Sequence, residues 1–166
     1  MDIVARAERL MGMDDTVWMR HANPWSVYSR FTCLPLMVLA VWSRVWIGWW
    51  CLLPLALAVA WTWANPRVFA PPRSTDNWAS KGVMGERIYL TRAARPVAEH
   101  HVRMANILMG LSGVGLLILV YGLVVLDPWA VVAGLLGTIL PKVWFVDRMV
   151  WIYHEMGPDL SPPPPR

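Results

Sequence analysis

Two apolar stretches set the pattern of this chain, Phe31 to Ala64 and Met104 to Leu140, and polar, basic segments bracket both. The first stretch holds one charge, Arg44. A single helix of that length would measure ~51 Å at 1.5 Å per residue, well beyond a ~30 Å hydrocarbon core, so the stretch must fold back. The break belongs around Ser43 to Trp50, where arginine, glycine and clustered tryptophan suit an interfacial turn. This predicts helices over about 29–45 and 47–64. The first of them is short, because Arg30 and Arg44 must snorkel outward. One helix over 36–58 would instead bury Arg44 at mid-bilayer, at roughly 2.5–3.5 kcal/mol.

The second stretch breaks at Leu126-Asp127-Pro128-Trp129, where Asp127 can cap and Pro128 can open a helix. It predicts helices over 103–126 and 128–153, the last kinked at Pro141 because proline removes a backbone hydrogen bond. The expected fold is therefore all-α: an integral membrane bundle of about four transmembrane helices in two hairpins, with short interfacial helices on the cytoplasmic side. It forms one transmembrane domain over 1–156, followed by a proline-rich mobile tail over 157–166.

The polar segments add detail. Ile3, Ala7, Leu10 and Met11 recur at helical spacing near the N-terminus. Asn23 and Pro24 read as an N-cap and a first helical residue. Pro66 is expected to end the second helix. In the long segment from Asn65 to His101, Ser74-Thr75-Asp76 is a candidate cap for a short helix bearing Trp78, punctuated by Gly82 and Gly85. At this length part of the segment should dock on the rest of the chain. The first 30 residues lack the apolar core of a signal peptide.

Composition agrees with lipid as solvent. Of 166 residues 57% are hydrophobic and 16% charged, with twelve tryptophans. A soluble domain of this size has too high a surface-to-volume ratio to bury so much apolar surface. The net charge of +4 is distributed unevenly. Four Lys and Arg lie in the N-terminal segment, seven in the central one and three in the C-terminal one, while the two hairpin turns hold only Arg44. The positive-inside rule then places both termini in the cytoplasm of a prokaryotic cell membrane, facing anionic head groups. Nucleic acid is not an expected partner. Cys33 and Cys51 fall near opposite faces, and no disulfide between them is expected.

Small residues recur on the last two helices. Gly115 and Gly122 on one, and Ala130, Gly134, Gly137 and Thr138 on the other, predict close helix–helix packing. The first two helices carry bulky side chains, so their outer faces are candidates for lipid, a partner membrane protein or a second copy.

Candidate chemistry collects at the cytoplasmic rim. Arg20, His21, Glu99, His100, His101, Asp147, Arg148, His154 and Glu155 form a possible polar cluster. Asp147, Trp151 and His154 share a helix face and can look toward Arg20, His21 or His100. The histidines lack the spacing of common metal motifs, so no metal, no cofactor and no catalytic residue is assigned, and solvated interfacial histidines are expected. Gly82-Val83-Met84-Gly85-Glu86-Arg87 lacks the ending of a phosphate-binding loop and follows no strand. The spans hold few ionisable groups, which disfavours a monomeric ion carrier.

The runs His21-Ala22-Asn23-Pro24-Trp25-Ser26, Trp42-Ser43-Arg44-Val45-Trp46, Trp78 through Arg87, Leu126-Asp127-Pro128-Trp129 and Asp147-Arg148-Met149-Val150-Trp151 resemble a family of small prokaryotic membrane proteins known only as a domain of unknown function. The resemblance covers about residues 17–156 and implies the architecture but no activity. The leading functional expectation is a non-catalytic accessory, assembly or stabilising subunit of a membrane complex. The alternatives are an oligomeric small transporter or channel, and an interfacial enzyme acting on lipid or quinone head groups.

Overall fold

The computed structural model describes residues 15–157, all of whose regular structure is helical. The expected amphipathic N-terminal segment and the proline tail from 158 onward lie outside the described residues. In chain order the elements are α1 (Asp15–His21), α2 (Pro24–Arg30), α3 (Cys33–Trp42), α4 (Arg44–Ile47), a 3-10 turn (Gly48–Cys51), α5 (Leu52–Val68), α6 (Trp78–Leu90), α7 (Glu99–Val125) and α8 (Pro128–Met156). Three helical segments are long and apolar enough to cross a membrane: Pro24–Val68, Glu99–Val125 and Pro128–Met156.

The first of these reverses direction at Gly48, whose φ of +56° is open to glycine and strained for other residues. Two prolines explain why its helices start later than apolar length suggests. Pro35 has no amide hydrogen for the Phe31 carbonyl and its ring crowds that group, so the chain breaks at Phe31–Thr32. At the break the Thr32 amide and Oγ1 both donate to the Ser29 carbonyl, at 3.1 and 2.6 Å. Pro54 likewise offers nothing to the Trp50 carbonyl, and the chain passes through a 3-10 turn before α5 begins at Leu52. The helix expected over 29–45 is thus divided among α2, α3 and α4, and the one expected from 47 begins at 52.

Pro66 does not end α5, which continues to Val68. Proline close to a helix end removes only one hydrogen bond, and the Arg67 guanidinium donates to the Trp63 carbonyl while lying 4.0 Å over its ring. Asn23 caps α2 by accepting from the Trp25 amide at 2.9 Å, with Pro24 in the first turn. The cap of α6 is Asn77, which accepts from the Ser80 amide at 2.9 Å; Ser74, Thr75 and Asp76 precede it as a loop. Asp127 caps α8 through the Trp129 and Ala130 amides.

Gly82 and Gly85 do not interrupt α6. A Cβ on Gly85 would lie 1.8 Å from the Met149 carbonyl oxygen, and one on Gly82 would lie 2.6 Å from a Val146 methyl. These glycines let α6 lie directly on the backbone of α8, so their helix-weakening effect is overcome by packing.

The main core lies at the polar end of the long helices. Ile88 and Tyr89 of α6 meet Ala105 and Leu108 of α7 and Phe145, Met149 and Ile152 of α8. A second cluster joins Trp18 and Ala22 to Val27, Ala79 and Val83. Helix α6, in the segment expected to dock in part on the rest of the chain, is the hub of this layer. Within the apolar part, Val38 of α3 meets Leu119 and Val131 in a small cluster. There α7 and α8 approach closely: a Cβ on Gly115 would lie 2.2 Å from Gly137 backbone, one on Gly134 2.2 Å from Leu119 backbone, and one on Gly122 2.6 Å from the Val131 amide. Ser112 Oγ adds a 3.0 Å bond to the Thr138 carbonyl.

Arg44 joins the two hairpin turns. Its guanidinium donates to the carbonyls of Leu123 and Val124 at the end of α7, groups a helix terminus leaves unpaired. It does not simply snorkel into solvent. Trp46, Trp49, Trp50 and Trp129 stand exposed around the same turns, as an interfacial aromatic belt does.

Candidate functional site

The polar residues picked from the sequence separate into distinct groups. The first lies where α1, α2 and α5 meet. His21 Nδ1 is 3.0 Å from Ser26 Oγ, Ser26 Oγ donates to Asn65 Oδ1 at 2.9 Å, and Asn65 Nδ2 donates to Ser29 Oγ at 2.8 Å. Ser29 Oγ in turn donates to the Trp25 carbonyl at 2.6 Å. Ser26 has one hydroxyl hydrogen and gives it to Asn65, so His21 must be the donor to Ser26. The direction of the whole chain follows, with the imidazole carrying its proton on Nδ1. His21, Ser26 and Asn65 are all buried. Around them Arg20 donates to the Arg67 carbonyl, Asn23 to the Ala70 carbonyl, and Ser80 to the Ala22 carbonyl.

Burial holds His21 well below its ordinary pKa of 6.5, at about 4; Arg30 lowers it further, Glu86 opposes and Lys142 adds to the lowering. His21 is therefore neutral in the folded protein near pH 7. Unfolded chains bind a proton there below about pH 6.5, whereas the native state does so only near pH 4. The stability this supplies is full above about pH 6.5 and lost as pH falls toward 4, by up to about 3 kcal/mol. Thermal unfolding in detergent should show a lower midpoint at pH 5 than at pH 7.5. A His21→Gln variant should lose most of that pH dependence, and an unchanged slope would refute the assignment.

The second group lies where α7 begins and α8 ends. His101 Nε2 is 3.0 Å from Glu155 Oε2, and the rings of His100 and His101 are 4.1 Å apart. His101 is 1% exposed and its Nδ1 has no hydrogen-bond partner among the described residues. Neither His21 nor His101 is the solvated interfacial histidine the sequence suggested. Each is drawn inward by helices packing across it, which spacing along one helix cannot reveal.

Asp147 turns to neither Arg20, His21 nor His100. Its carboxylate accepts from the Trp78 indole at 3.0 Å and so fastens α6 to α8. Trp151 and His154 are exposed, with His154 edge-on to Tyr153. Arg148 has a buried Nε, and Glu99 is the exposed first residue of α7. Ion pairs Lys142–Glu86, Lys81–Asp76 and Arg87–Asp15 brace the same layer. A head-group enzyme built from His21, His100, His101, His154, Asp147 and Arg148 would need them around one pocket. Their partners instead divide them: Ser26 for His21, Glu155 for His101, Trp78 for Asp147.

Ser26, Asn65, Ser80 and Trp78 were not among the polar site residues expected from sequence. One sign was there: Asn65 is an uncharged amide at the very end of an apolar run, a placement that asks for a partner.

No curated protein and no solved structure matches the chain. A family model covers nearly all of it, residues 2–163, and by that match the chain belongs to DUF6653, a family of unknown function.

Proposed function

We propose that this protein is a non-catalytic accessory, assembly or stabilising subunit of a membrane complex, crossing the prokaryotic cytoplasmic membrane four times with both termini inside. The reversal at Gly48 supports reading Pro24–Val68 as two crossings. The distribution of Lys and Arg supports the orientation, with the basic layer against anionic head groups.

One observation carries the functional reading. Only 6% of the apolar window of Pro24–Val68 is buried within the chain, against 22% in each of the other two segments. Hairpin one is joined to the rest chiefly through Val27 at its polar end, Val38 and Arg44, while Leu39, Leu53, Leu57 and Val59 stand exposed. Helices in lipid associate through van der Waals packing, and this thinly packed pair leaves most of its packing to be made with a partner's transmembrane helix. Photo-crosslinking residues placed at Leu39, Leu53 and Leu57 in native membranes should give adducts with the same membrane protein, and positions Leu117 and Val124 on hairpin two should not. Adducts with lipid alone from every position, together with a lone monomer in mild detergent, would count decisively against this reading.

A further inference from the structure

The histidine pair at the start of α7 and the carboxylate at the end of α8 converge as a donor set. One ligand atom from each of His100, His101 and Glu155 lies within 4.8 Å of the others. We propose that these three residues bind a divalent metal ion of the zinc class, with solvent completing the coordination.

Donor chemistry and geometry both favour an ion here. Two imidazoles and a carboxylate are a recognised set for Zn²⁺ with one open position, and imidazole suits Ni²⁺ and Cu²⁺ as well. Donors at about 2.0–2.2 Å from a tetrahedral ion stand roughly 3.4 Å apart. The three atoms therefore need to close by little more than an ångström. His100 and Glu155 are exposed and can adjust, Glu155 by shifting its bond to His101, whereas His101 is fixed by burial. One rigid and two adjustable ligands can make that closure without moving the backbone.

A second observation points the same way. His101 is almost fully buried yet satisfies only one ring nitrogen, through Glu155; Nδ1 has no hydrogen-bond partner among the described residues. A purely structural core histidine normally pairs both nitrogens. The Glu155 carboxylate is already held against the Nε2 of this buried ring, so the fold brings two donors of the set together before any ion arrives. The neighbouring ring of His100 supplies the next donor at no extra backbone cost. Helical neighbours one residue apart normally diverge, but in the first turn of α7 these two rings lie together.

Binding would tie the first turn of α7 to the last turn of α8, where Glu155 and His101 already meet. The site lies in the polar layer, outside the apolar portions of the helices, and does not depend on the accessory role proposed above.

The test uses the full chain without a polyhistidine tag, in detergent or nanodiscs, after dialysis against a chelator. Zn²⁺ titrated against a chromophoric competitor should reveal one saturable site per chain. Co²⁺ should give the visible absorption of a low-coordinate ion. His100→Ala and Glu155→Gln should each weaken Zn²⁺ binding at least tenfold. His100 is exposed, so thermal unfolding of metal-free His100→Ala should match that of the parent, and Glu155→Gln keeps an amide oxygen to accept from the buried His101. Zn²⁺ should raise the unfolding midpoint of the parent and leave that of the variants unmoved. The absence of a saturable site, or a site whose affinity survives either substitution, would overturn the proposal.

Discussion

Replacing Gly85 by alanine is expected to destabilise this protein more than any other single-methyl change in it. The added Cβ would lie 1.8 Å from the Met149 carbonyl oxygen and 2.6 Å from its carbon. Both belong to the backbone of α8, so no side-chain rotation relieves the overlap. Helix α6 would have to lift off α8, opening the cluster of Ile88, Tyr89, Phe145 and Met149 and straining the Trp78–Asp147 bond. Overpacking of a core typically costs about 1–3 kcal/mol, and a clash with backbone belongs at or above the upper end. The control is Gly110→Ala, where a Cβ meets nothing within 4 Å. There alanine should be neutral or slightly stabilising, by up to about 1 kcal/mol, since it favours helix. Thermal unfolding of both variants in the same detergent measures the contrast, and equal midpoints would refute it.

The second large effect is expected at Asn65. Its side chain is completely buried, accepts from Ser26 and donates to Ser29. Leucine keeps much of the volume but removes both bonds, leaving Ser26 and its donor His21 without their chain. Buried polar groups stripped of partners lose about 1–3 kcal/mol each, so Asn65→Leu should lower stability by about 2–5 kcal/mol. Ser26→Ala, which removes one link and adds no bulk, should fall between leucine and the parent. The effect should be local: α2 and the end of α5 become open to hydrogen exchange, while the α7–α8 pair keeps its protection. Loss of protection in both hairpins would mean that the polar network supports the whole bundle rather than its first hairpin.

These two sites differ in how readable they were. Two apolar stretches, a turn near Arg44 and Gly48, and the Asp127-Pro128 start of α8 were legible because each depends on local physics: span length against lipid thickness, glycine geometry and helix capping. The late starts of α3 and α5 were legible in principle as well, through Pro35 and Pro54, since a proline constrains the carbonyl four residues before it. The glycines of α6 misled for the opposite reason. Alone, Gly82 and Gly85 weaken a helix; against Val146 and Met149 they are what allows it to sit where it does.

By itself the sequence determined an all-helical chain with apolar segments long enough to cross a membrane, because hydrophobic length and the demand that backbone groups be paired in lipid leave few other solutions. Tertiary structure alone decided which polar side chains meet. His21 found Ser26 and Asn65 because the first hairpin closes on itself, and His101 found Glu155 because α7 and α8 run side by side past the apolar layer. Such contacts span 39 and 54 positions of chain. Helical periodicity relates residues three or four apart and carries no information at those separations.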